Sequence, residues 1–125
     1  MAVTDAFIAT CRTRVLASAQ LAAYNAAGAL ANDTRAERVA QWGRLFNADS
    51  RGTSVAVRTR AEIRGIVNAE ADILAATAGT VVGREERETL AATLIADYTP
   101  DLPRPTSDAV ELANIQRIIE QGYLQ

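Results

Sequence analysis

Apolar residues along this chain recur at spacings of three and four, the period of helices with one buried face. Over residues 4–27 the stripe runs Ile8, Cys11, Val15, Ala19, Ala22 and Ala26, widened by Phe7 and Leu16, with Thr4 or Asp5 placed to cap it. Gly28 is the expected stop. Thr34-Arg35-Ala36-Glu37 marks a second start, a capping box in which Thr34 accepts from the backbone and Glu37 reaches back. Val39, Trp42, Leu45 and Phe46 then form an apolar stripe, and the polar run 47–52 ends it. Thr59-Arg60-Ala61-Glu62 repeats the box before a helix whose apolar face is Ile63, Ile66, Val67, Ile73 and Leu74. The β-branched run 53–57 is read as the beginning of that helix, because no second alternating segment exists to pair with it as a strand.

Gly79 to Gly83 breaks the pattern and predicts a connector. Arg84-Glu85-Glu86-Arg87-Glu88 opens the next helix with acids near its positive end, and Leu90, Leu94, Ile95 and Tyr98 form its buried side. Pro100, Pro103 and Pro105 predict a stiff, extended arm over 99–106. Asp108 and Glu111 box a last helix carrying Leu112, Ile115, Ile118 and Ile119, which Gly122 stops before the tail Tyr123-Leu124-Gln125. The expected fold is all-α: about five helices in a small bundle over 1–98. The proline arm and C-terminal helix, 99–125, belong to the same domain or dock on a neighbour.

Composition narrows the chemistry. The 125 residues suit one domain, and 49% apolar with 22% charged is ordinary for a globular protein. Histidine is absent, which removes Ser-His and Cys-His nucleophile pairs. One cysteine, Cys11, makes neither an internal disulfide nor a zinc site and reads as a small core residue. No phosphate-binding glycine loop or EF-hand loop is present. The expectation is a non-enzyme with no cofactor and no metal. Met1-Ala2-Val3-Thr4-Asp5 lacks the basic start of a secretory signal, so no Sec-type export is expected. All 13 basic residues are Arg, and 26 residues are Ala, so helices approach closely while burying little area each. Residues 1–64 carry nine Arg against five acids, a net of +4; residues 65–125 carry four against ten, a net of −6.

Several residues admit both a structural and a functional reading. Glu70 falls within the apolar stripe of its helix, as an Arg-paired carboxylate or as a functional acid or metal ligand. Trp42 and Phe46, one turn apart, are core or an anchor for a partner. Arg51, Arg58, Arg60 and Arg64 form a basic cluster, for solvent and intersubunit salt bridges or for phosphate contacts. Ile115, Ile119, Tyr123 and Leu124 offer an apolar surface on the last helix and tail, folded back on the bundle or laid on a neighbour.

A small Ala- and Arg-rich helical chain with Thr-Arg-Ala-Glu-Arg-Val-Ala-Gln-Trp at 34–42 and a proline arm before a terminal helix resembles small virion proteins of tailed bacteriophages, of the head-to-tail adaptor or head-completion type. The resemblance is one of style over most of the chain and carries over no functional residue. It implies a homo-oligomer, as a ring against a portal or tail component, in a virion assembled in the host cytoplasm. The opposite charges of the two halves suit head-to-tail contacts between identical subunits. The expected function is therefore a structural assembly subunit without membrane association. The alternative is a small nucleic-acid-binding regulatory protein using the cluster at 51–64.

Overall fold

The computed structural model describes residues 3–99, together with Ala113 and Arg117. Five helices follow in order: α1 (Asp5–Leu16), α2 (Ala19–Gly28), α3 (Arg35–Phe46), α4 (Val55–Ala78) and α5 (Arg84–Tyr98). No strand occurs among the described residues. The all-α expectation holds. The proline arm beyond Thr99 and the last helix lie outside the described residues, apart from Ala113 and Arg117.

The single helix expected over 4–27 is two. Thr4 caps α1, its Oγ1 accepting from the Phe7 N–H at 3.2 Å. At Ser18 the ladder stops, because the serine hydroxyl accepts from the N–H groups of Gln20 and Leu21 at 3.1 and 3.3 Å and starts α2 instead. The interruption resets the helical phase. Leu21 and Tyr24 become the buried residues, whereas Ala19, Ala22 and Ala26 are exposed and Leu16 stands 64% exposed. Periodicity read straight through Ser18 therefore found the buried face of α1, in Phe7, Cys11 and Val15, but the wrong face of α2.

The capping box of α3 forms by half. Thr34 Oγ1 accepts from the Glu37 N–H at 3.1 Å, but the Glu37 carboxylate turns to the Ala31 N–H at 3.2 Å and to Arg44. The second box does not form at all. Ser54 caps α4, accepting from the Val57 N–H at 3.1 Å, so 53–57 leads into the helix as expected. Thr59 lies inside the helix, buried, with its hydroxyl bonded back to the Val55 carbonyl at 2.8 Å. A helix that starts one turn early leaves Thr59 no free N–H groups to cap. Gly79 ends α4 at φ 68°, the left-handed conformation that a side chain would strain.

The described residues gather into two units. One comprises 3–21 and 60–99: α1, the greater part of α4, and α5. Its core joins Phe7, Cys11 and Val15 of α1 to Ile63, Val67 and Ala71 of α4 and to Leu90, Ala91, Leu94 and Ile95 of α5. Val82 from the connector and Leu21 close it. On α4 the buried line falls at steps of four through Ile63, Val67 and Ala71, which leaves Ile73 51% exposed instead of on the apolar face. The other unit, 22–59, buries Tyr24, Trp42, Leu45, Phe46 and Ala56.

Both serine caps are testable. Ser18→Ala and Ser54→Ala are each expected to lower unfolding stability by about 1 kcal/mol. Chemical denaturation measures this, and an unchanged midpoint for Ser18→Ala would show that the α1–α2 break has another cause.

Candidate functional site

Trp42 and Phe46 pack together with ring centroids 4.3 Å apart and planes tilted by 39°. Both are buried, as is Leu45 beside them. The partner-anchor reading of these two aromatics is corrected: the 22–59 unit has few large side chains and uses these to make its own core. The polar side of α3 serves the end of α2. Arg44 Nε donates to the Ala27 carbonyl at 2.8 Å and its Nη2 to that of Ala29 at 3.0 Å, while Gln41 Nε2 donates to the Gly28 carbonyl at 2.5 Å. Those carbonyls are the groups a helix C-terminus leaves unbonded. The Ala31 N–H, and then the Arg44 guanidinium, hold the Glu37 carboxyl below its ordinary value.

The basic cluster at 51–64 is divided between the two units, with Arg51 and Arg58 in one and Arg60 and Arg64 in the other. Arg58 is committed locally, its Nη1 donating to the Thr53 carbonyl and pairing with Asp49, both at 2.8 Å. That closes the 49–53 loop, where Gly52 takes φ 79°. The Arg51 N–H, followed by Arg58, draws the Asp49 carboxyl below its usual range. Arg58 Nη1 thus has protein partners within its own loop. Arg60 is half-buried, and Arg51 and Arg64 are exposed. Ile115, Ile119, Tyr123 and Leu124 lie outside the described residues.

Glu70 has its expected arginine. Arg14 Nε sits 2.9 Å from Glu70 Oε1, joining α1 to α4. Two further bridges complete a set: Arg12–Asp97 at 2.9 Å joins α1 to α5, and Arg87–Asp72 at 3.0 Å joins α4 to α5. Each pair of helices in this unit thus carries an arginine–carboxylate bridge among the described residues. The Glu70 side chain is 12% exposed and that of Arg14 66%, so the carboxylate is the shielded member. Cys11 feels the same carboxylate. Burial first, and the Glu70 charge second, push its thiol from 9.0 up to about 11.

A cavity of about 690 Å³ opens in this unit between α4, the connector and α5. Arg64 and Asn68 reach it from α4, and Arg84, Arg87 and Glu88 from α5. Val81, Val82, Ala91 and Ala92 supply apolar wall. Arg64 is the one cavity cation that belongs to the basic cluster. The sequence reading missed Arg84 and Arg87, taking them only as the opening of a charged helix. Their spacing of three was the available signal, since it places both on one side of α5. Among the described residues no group of three or more His, Cys, Asp or Glu could hold a metal ion.

Comparison with protein-family models, curated proteins and solved structures gives no match. The reading therefore rests on the residues themselves. Among the described residues, no helix is long and apolar enough to cross a membrane.

Two predictions follow from the Glu70 environment. Arg14→Met is expected to cost about 1–2 kcal/mol, because it strands a shielded carboxylate, and Glu70→Gln less than about 1 kcal/mol, because it leaves Arg14 in water. Urea denaturation of both variants gives the order, and a larger loss for Glu70→Gln would reverse the assignment. The raised thiol pKa favours the protonated fold. Its contribution is complete below the unfolded value of about 9 and is lost as pH rises towards 11. Stability should fall with pH across that window more steeply in the parent than in Cys11→Ala.

Proposed function

We propose that this chain is a structural subunit of a larger assembly, of the kind that forms head-to-tail connectors in tailed bacteriophages, acting through protein–protein contacts in a ring. The observation that supports it is the exposure of large aliphatic side chains on a unit whose core is already closed. Leu16 and Ile73 stand 64% and 51% exposed, and Val81, beside the buried Val82, 66%. A solvent-facing aliphatic adds little to the fold, and its burial against a partner would be favourable. The Ala-heavy composition adds to this, since a core of small side chains gains from further surface supplied by a neighbour. The nucleic-acid alternative loses support from the local commitment of Arg58 to Asp49 and Thr53.

Light scattering on the purified full chain tests the reading. The expected mass is a multiple of 13.3 kDa, with an interface burying about 2,000 Å² or more if the assembly is permanent. Ile73→Asp and Leu16→Asp, both at exposed positions, should shift the mass towards the monomer while leaving helix content unchanged. A parent chain that stays monomeric at every concentration overturns the proposal.

A further inference from the structure

We infer that the cavity between α4, the 79–83 connector and α5 binds a small phosphorylated ligand, with Arg64, Arg84 and Arg87 on its phosphoryl group and Val82 and Ala91 against its body. The cavity volume, about 690 Å³, falls in the range of small-molecule sites, and its wall combines apolar surface with several polar side chains. Charge selects the ligand. The unit around it, residues 3–21 and 60–99, carries six Arg against eight carboxylates, a net of −2. The cavity reverses that sign, with three Arg against the single carboxylate of Glu88, a net of +2. Half of the unit's arginines thus line one opening in an otherwise acidic surface.

The guanidinium groups retain donors for a ligand. Arg87 is held in place by the Val82 carbonyl at 2.9 Å on Nε and by Asp72 at 3.0 Å on Nη1. Its Nη2 has no hydrogen bond among the described residues. Arg84 gives only Nε to Glu88, at 3.1 Å, and Arg64 has no ion pair among the described residues. A phosphomonoester brings three acceptor oxygens and nearly two charges, enough to engage several guanidinium forks at once. A carboxylate, with one charge and two oxygens, satisfies fewer of them. Gly83, the N-cap of α5, also lines the cavity and has no capping side chain. Glu85 and Glu86 in the first turn offset the positive helix end, so recognition falls to the arginines.

This inference stands apart from the assembly reading and holds for a monomer or an oligomer. Calorimetric titration of the full chain at low ionic strength tests it, with AMP, glycerol 3-phosphate, adenosine and acetate as probes. The two phosphates should bind, and adenosine and acetate should not at the same concentrations. Arg64→Ala and Arg84→Ala, both at exposed positions, should each weaken AMP binding about tenfold or more with the melting temperature unchanged. Absence of phosphate binding, equal binding of adenosine and AMP, or variants that bind as the parent does would overturn the site. So would binding of a poly-aspartate peptide in place of both phosphates, which would make the cavity a protein-docking groove.

Discussion

The core of the three-helix unit mixes large side chains such as Phe7, Ile63 and Leu94 with small ones at its helix contacts. Cys11, Val15, Val67, Ala71 and Ala91 are its small buried members. Contact of this kind gives good packing but little area, so the seams need support from outside the core. Arginine supplies it. A planar fork on a long stem spans from one helix surface to the next, and one such fork crosses each of the three seams. Exposed bridges are individually weak, so these contribute mainly to the order in which helix faces meet.

Where the sequence was legible, a short-range signal was also the final structure. Thr4 and Thr34 cap the helices they precede, and Gly79 ends the one before it. Leu90, Leu94 and Ile95 lie buried on α5 as their spacing required. Elsewhere two local signals competed and distance along the chain did not decide between them. Ser54 and Thr59 are both competent caps; the earlier one won, and Thr59 was absorbed into the helix. The apolar stripe drawn over 4–27 passed over Ser18, whose hydroxyl claims two backbone donors and divides the helix. Missing that break put Ala19, Ala22 and Ala26 on the buried face and left Leu21 and Tyr24, the residues actually buried, out of it.

The candidate site was less legible than the fold because its residues come from separated segments. Arg64 drew notice within a local run of basic residues, yet its cavity neighbours Arg84 and Arg87 lie on another helix amid acids. Tertiary packing assembles that group. Conversely, Arg58 looked available only because the carboxylate that claims it, Asp49, sits in a loop nine residues earlier. Glu70 was the favourable case, since a carboxylate within an apolar stripe has few ways to exist except beside a cation.

The sealed position of Cys11 reaches beyond the stability of one subunit. A thiol that is both buried and held in its protonated form reacts slowly with disulfides and oxidants, which attack through the thiolate. Many copies gathered at high local concentration would ordinarily risk covalent cross-linking through their cysteines. Here the sulfur is buried within the core that also holds Phe7, Val15, Val67 and Leu94. In the proposed assembly, contacts between copies would therefore not be cross-linked through this thiol.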